Sequence, residues 1–255
     1  MQKLCSIVRR ALDDYSMIEA GDKIAVGVSG GKDSLALLLA LTKIRSYYPK
    51  PFELVAVTAD AGFDGMDFSP LAALCARLDI PYILHPTNIK PIVFDYRQES
   101  NPCSLCARMR RGALHDIAVA NGCNKVALGH TRDDVSETFL MSLLYEGRLN
   151  TFSPVTYLSR KKLHVIRPLI YTPETQITGV VRKLGLPVIA STCPVNGGTK
   201  RAYVEQLIGK LQQQTHCAQT NIFGAIKRSG LWGWDAPAKT PPASAPDTGP
   251  ALPAS

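Results

Sequence analysis

The sequence predicts an α/β domain built on a doubly wound, mostly parallel sheet with helices on both faces. Two observations carry that expectation. Short apolar runs of strand length alternate with helix-length amphipathic stretches over residues 23–145, and a glycine-rich turn sits where the first run meets the helix that follows it. With 255 residues, 45% of them hydrophobic, the chain can bury the core that such a layered domain needs.

The elements follow in order from their periodicity. Leu4, Ile7, Val8 and Leu12 recur at helical spacing, which predicts a short amphipathic helix within residues 1–20. Lys23–Val28 reads as a first strand, with a helix from Asp33 to Tyr48 behind it. Glu53–Thr58 reads as a second strand and Asp67–Leu78 as its helix. Pro81–Leu84 is a third strand, and Lys125–Leu128 a fourth, followed by a helix from Asp133 to Tyr145. Pro154–Pro168 reads as a hairpin turning at Arg160, Lys161 and Lys162. A helix over Pro173–Leu184 begins on proline and closes on Gly185, and Ala202–Gln214 is again helical. From about Gly230 the chain becomes rich in Pro, Ala and Ser, so residues 229–255 are expected to be a disordered tail behind a main domain over residues 21–228.

Composition narrows the function classes. No stretch approaches the roughly 20 apolar residues of a membrane span. Met1–Arg10 has no apolar core and no cleavage site of a signal peptide, so a cytoplasmic location without membrane is expected. A net charge of +8 favours a polyanionic partner. Seven cysteines are an odd number for a disulfide framework in a reducing compartment, which points clustered thiols toward metal, redox or nucleophilic roles.

The sharpest motif is Ser29-Gly30-Gly31-Lys32-Asp33-Ser34, directly after the strand Ile24–Val28 and at the mouth of a helix. Its glycines let the backbone approach a ligand, and the free amides of the turn and helix N-terminus form an anion nest. Lys32 adds a full cation, Ser29 and Ser34 supply donors, and Asp33 can cap the helix or hold Mg²⁺. The spacing is not that of a Walker A loop. Asp60 stands at the end of the second strand. Gly129-His130 ends the fourth, with Thr131-Arg132-Asp133-Asp134 leading into the next helix and Thr138 further along it. These are positions at strand carboxyl ends, where ligands of such sheets bind.

Cys103-Ser104-Leu105-Cys106 is a C-x-x-C, which by itself admits a zinc half-site, a redox pair or an iron–sulfur site. Cys193, after the apolar run Pro187–Ala190, is the one well-placed additional thiol. Three thiolates would leave one iron of a four-iron cluster open to an exogenous sulfur. Cys75 sits among Leu71, Leu74 and Leu78 and reads as core, and Cys5, Cys123 and Cys217 are isolated. Arg108, Arg110 and Arg111 follow the C-x-x-C and are candidate contacts to RNA phosphate, with Arg160-Lys161-Lys162, Lys200-Arg201 and Lys227-Arg228 extending the basic surface.

With these residues in hand, the stretches VSGGKDSLALL, NPCSLCARMRRGAL, VALGHTRDDVSETFL and IRPLIY resemble the 2-thiocytidine tRNA biosynthesis family of PP-loop ATP pyrophosphatases, over about Asp22–Leu211. The resemblance implies an adenine nucleotide α-hydrolase-like fold and replacement of the C2 oxygen of a tRNA cytidine by sulfur, with ATP, Mg²⁺ and a three-cysteine 4Fe–4S cluster. It implies Lys32, Asp33 and Asp133 as catalytic side chains. It places ATP on Ser29, Gly30, Gly31, Lys32, Asp33, Ser34, Asp60, Gly129, His130 and Asp134, and the cluster on Cys103, Cys106 and Cys193. The implied partners are tRNA, reached through Arg108, Arg110 and Arg111, and a sulfur donor, either a cysteine desulfurase or sulfide; a homodimer is a candidate assembly. Members of the family carry a second C-x-x-C, whose last thiol is replaced here by Asn196. Rival readings are 2-thiolation of a uridine, a lysidine-type PP-loop ligase, and a zinc-stabilised RNA-binding protein.

Overall fold

The computed structural model describes residues 1–97, 102–190, 192–193 and 200–235. Among them, strands β1 (Asp22–Gly27), β2 (Phe52–Asp60), β3 (Tyr82–Pro86), β4 (Lys125–Ala127), β5 (Val155–Leu158) and β6 (Leu163–Ile166) form one sheet in the order β3-β2-β1-β4-β6-β5. Every neighbouring pair is parallel except β5 with β6, the expected hairpin. The helices are α1 (Gln2–Asp14), α2 (Lys32–Arg45), α3 (Ser69–Arg77), α4 (Pro102–Ala120), α5 (Arg132–Glu146), α6 (Glu174–Leu184), α7 (Lys200–Thr215) and α8 (Ala218–Arg228), with a π-helical turn at Pro91–Tyr96.

The central strands are apolar because both of their faces are covered. Ile24, Ala25 and Val26 of β1 and Val126 and Ala127 of β4 are all fully buried. On one face α1, α2, α3 and α6 pack Leu4, Leu35, Leu38, Leu71 and Ile177 into a single core with Ile24 and Val26. On the other, Leu114, Ile117 and Ala118 of α4 cover Ala25, Val55, Val57 and Val126. Helix α2 is buried almost all round, so it lacks the one-sided stripe of a surface helix.

A polar clamp joins the two central strands at their amino ends. Lys125 Nζ contacts Asp22 Oδ2 at 2.7 Å and donates to Met17 O at 2.9 Å, while Asn124 Nδ2 donates to Asp22 Oδ1 at 2.7 Å. Burial disfavours the charge on Asp22, but the hydrogen bonds from Lys125, Glu19 and Asn124 prevail and lower its pKa.

From β1 the chain winds outward through β2 to β3 and then returns to the opposite side as β4. Strand order therefore reverses between β1 and β4, and their carboxyl ends bound a crevice that no crossover spans.

Three elements have no counterpart in the expected order: the π-turn, α4 and α8. In α4 the buried Leu114, Ile117 and Ala118 do fall at helical spacing, but a run of arginines and Gly112 interrupt the stripe. In α8 the apolar set is confined to Ile222, Phe223 and Ile226. The expected boundary after residue 228 also needs correction. Leu231 packs on the main core, and Trp234 is only 1% exposed, edge-on to Tyr15 at 6.3 Å and to Phe223 at 5.6 Å. A small aromatic anchor was hidden there by the low-complexity composition around it. Residues 236–255 lie outside the described chain. No helix among the described residues is long and apolar enough to cross a membrane.

Removing that anchor should be costly. Trp234→Ala is expected to lower unfolding free energy by about 3–5 kcal/mol, the usual range for a buried tryptophan, read as a drop in the urea midpoint.

Candidate active site

The glycine-rich loop lies between β1 and α2 and is braced from within. Ser34 Oγ donates to Gly31 O at 2.8 Å and accepts from Ser29 N at 3.2 Å. Gly30 has φ +85°, and a Cβ there would come within 2.9 Å of Ile189 Cβ, so glycine is required both by conformation and by space. The Ile189 amide donates to Gly30 O at 3.0 Å, tying the segment that leads to Cys193 to the loop. Gly31 precedes α2 without a side-chain cap, which leaves the first-turn amides to be met by an anion.

A cleft of about 520 Å³ opens at this switch point. The loop and the end of β1 form one wall through Gly27, Val28, Ser29, Gly31, Asp33 and Ser34. Leu128, Gly129, His130 and Asp134 form the second, and Ala107, Arg110, Arg111 and Leu114 of α4 form the third. The first two walls meet at Gly129, where a Cβ would stand 3.1 Å from the Asp33 carbonyl carbon and 3.2 Å from Ser34 N.

The carboxylates here divide their work. Asp33 Oδ2 accepts from Lys32 Nζ at 3.2 Å, while the buried Oδ1 has no hydrogen-bond partner. Burial raises the Asp33 pKa, with Lys32 opposing. Lys32 Nζ also meets Glu174 at 2.6 Å; burial works against its charge, but Glu174 and Asp33 more than offset this and raise its pKa. Asp134 forms a capping box with Thr131, and its Oδ1 accepts from Arg201 Nη1 at 3.0 Å. The same nitrogen donates to Glu137 at 2.9 Å, and Glu137 is nonetheless raised to about 7, chiefly by burial. Burial, with Arg167 adding, lowers His130 to about 4, so its imidazole is neutral at physiological pH.

The cysteines stand beside this cleft. Cys103 and Cys106 lie one helical turn apart in the first turns of α4, whose next turn supplies Ala107 and Arg110 to the cleft wall. Burial raises the Cys106 thiol; Arg110 opposes the rise, and Cys193 and Cys103 add to it, so all three sulfurs share one electrostatic neighbourhood. Among the described residues, no three His, Cys, Asp or Glu side chains are gathered as ligands of one metal ion. Asn196 lies outside the described chain.

Most of the expected nucleotide positions therefore meet in one cleft, with four differences. Asp133 points elsewhere: its Oδ2 accepts from Glu174 N at 2.9 Å and caps α6, so Asp134 is the aspartate of this pair that lines the cleft. Asp60 is turned to its own loop, accepting from Gly62 N at 2.9 Å. Lys32 is held by Glu174 rather than lining the wall, and Gly30 is backed by Ile189. In the arginine row, Arg110 and Arg111 line the cleft and Arg108 does not. Arg201, expected only as general basic surface, is a cleft residue that joins α7 to α5. Its partners Asp134 and Glu137 share one face of α5 at i, i+3 spacing, the one signal in the sequence for a cation between them.

The comparisons with known proteins accord with this geometry. Residues 4–197 match a PP-loop domain family. The chain is 39% identical to the tRNA-cytidine(32) 2-sulfurtransferase of Pelobacter propionicus, over 88% of this chain and 85% of that one. It is 36% identical to the protein of the same name from Geobacter sulfurreducens, over 88% and 89%. Among solved structures, the U34-tRNA thiolase NcsA from Methanococcus maripaludis with its [4Fe-4S] cluster superposes with a TM-score of 0.74 at 24% identity, covering 89% of this chain and 78% of that one. A phosphate-loop cleft at the β1/β4 switch point, with the paired cysteines on the helix that walls it, thus accompanies sequence identity along nearly the whole chain, and the chain belongs to the tRNA-cytidine(32) 2-sulfurtransferase family of PP-loop enzymes.

Proposed function

We propose that this enzyme thiolates C2 of a tRNA cytidine at the expense of ATP, in the cytoplasm. The observation that carries this reading is the shared cleft. The phosphate loop and helix α4, which carries Cys103 and Cys106, both line it, and the Cys193 segment is tied to that loop through Ile189.

The loop amides and the hydroxyls of Ser29 and Ser34 would take the ATP phosphates, the anion complement of an uncapped helix N-terminus. Asp33 Oδ1, buried and unpartnered at the cleft wall, is the hard oxygen that fits Mg²⁺. Attack of the cytidine C2 oxygen on the α-phosphorus would release pyrophosphate. A sulfur nucleophile then displaces AMP from C2. Lys32, once drawn from Glu174 by a phosphate, would offset charge that develops on the departing oxygens. Asp134 is held away from that task by Thr131 and Arg201, so its role is to keep α5 and α7 in place. Neutral His130 can hydrogen-bond a base or ribose without bringing a charge.

The donor set of Cys103, Cys106 and Cys193 is soft and wholly sulfur, which fits a 4Fe–4S cluster. A cluster binds each thiolate on a separate iron, so the three need not converge on one point as ligands of a single zinc ion would. The same fold holds such a cluster in the U34-tRNA thiolase. When bound, a three-thiolate cluster offers one iron that can carry the donor's sulfur, whether from a desulfurase or as sulfide.

Three outcomes are expected. Mass spectrometry of tRNA nucleosides from cells lacking the gene should show 2-thiocytidine missing; loss of 2-thiouridine alone would redirect the assignment to uridine, and an unchanged profile would overturn it. Asp33→Asn should slow tRNA-dependent pyrophosphate release by about 100-fold, the scale of one lost electrostatic contact in a preorganised site. Cys193→Ala, reconstituted anaerobically, should keep pyrophosphate release but lose thiolation and the brown absorbance of the cluster; full thiolation would reject the cluster role.

A further inference from the structure

Arg167 follows β6 immediately and is 8% exposed, yet no carboxylate among the described residues pairs with it. Its Nη1 donates to Ser153 O at 2.6 Å and to Thr156 Oγ1 at 3.1 Å, and its buried Nε has no partner. The guanidinium lies 5.0 Å over the ring of Phe152, and His130, which lines the cleft, stacks on that same ring at 4.7 Å. Arg167 is thus one aromatic ring removed from the cleft.

The groups around it compound the charge rather than cancel it. Arg111 reaches the cleft wall from α4 and has no carboxylate partner among the described residues. Burial, and then Arg111, lower the Arg167 pKa to about 10. His115 Nε2 and His130 Nδ1 are buried without hydrogen bonds. Asp116, the nearby acid that acts on His115, is taken by Lys161. A buried cation without a counter-charge is expensive, and Arg167, with its unpartnered Nε one ring behind a cleft wall that carries Arg111, calls for an anion from outside.

We infer that Arg167 and Arg111 form a second anion site, separate from the phosphate loop, that takes a phosphodiester of the RNA strand carrying the target base. The site rests on the tRNA reading above and deepens it. β6 is two strands from β1, so Arg167 stands about 10 Å across the sheet from the loop that would hold the nucleotide's phosphates. A strand that inserts its base at His130 would lay its backbone toward the α4 arginines. One diester charge between two guanidinium groups both orients the strand and relieves their repulsion.

The test is tRNA affinity measured between about 50 and 200 mM salt for wild type, Arg167→Gln, Arg167→Lys and Arg111→Gln, beside binding of a non-hydrolysable ATP analogue. Each glutamine variant should weaken tRNA binding and make the log–log salt slope shallower by about 1, Arg167→Lys should restore the slope, and analogue binding should not change in Arg167→Gln. Wild-type slopes in both glutamine variants would overturn the site, as would a loss confined to the ATP analogue, which would reassign the anion to the nucleotide. Arg111 is exposed on α4, so Arg111→Gln decides the matter should Arg167→Gln fail to fold. Wild-type protein that binds no tRNA would instead bring down the functional reading itself.

Discussion

The architecture of the cleft depends on one backbone approach. The end of β4 meets the first turn of α2 at Gly129, where a Cβ would press within 3.1 Å of the α2 backbone. That contact brings two loops almost a hundred residues apart into one wall, and it sets the distance between the phosphate nest and His130. A parallel sheet makes it available, because the reversal of strand order leaves the β1 and β4 ends adjacent and uncovered. The buried Asp22–Lys125 clamp holds the same two strands at their other ends, so their register is secured from both sides.

A second constraint links the loop to the segment that carries Cys193. Gly30 is boxed in by Ile189, whose amide it accepts, and four residues later comes Cys193. Helix α4, which walls the cleft, carries Cys103 and Cys106 one turn ahead of its cleft-lining residues. The Cys103–Cys106 pair is therefore carried by an element that shapes the cleft, and the Cys193 segment is tied to the glycine-rich loop. Helix α7 joins this arrangement through Arg201, which bridges two acids of α5 and lines the cleft.

Electrostatics assigns different work to residues that look alike in one dimension. Asp133 and Asp134 are neighbours, yet one caps α6 and the other caps its own helix and faces the cleft. Lys32 belongs to the phosphate motif but is paired with Glu174. Arg108, Arg110 and Arg111 form one basic run, and helix geometry turns only the last two toward the cleft. In each case the residue type was readable, and its role depended on which way the folded chain turned it.

The sequence by itself determined the layered α/β class, the strand order of appearance, the hairpin and the phosphate loop, because periodicity and glycine placement are local constraints that any fold must satisfy. It also singled out the three thiols, since soft donors are few and their spacing is visible. It missed α4, α8 and the Trp234 anchor, whose apolar positions are too sparse to rise above charged or low-complexity surroundings. Only the tertiary structure decided which aspartate faces the cleft, which arginines join it, and that Arg167 is buried without a counter-charge among the described residues. Those outcomes depend on desolvation and on partners brought together across the sheet, and neither quantity exists along a chain that has not folded.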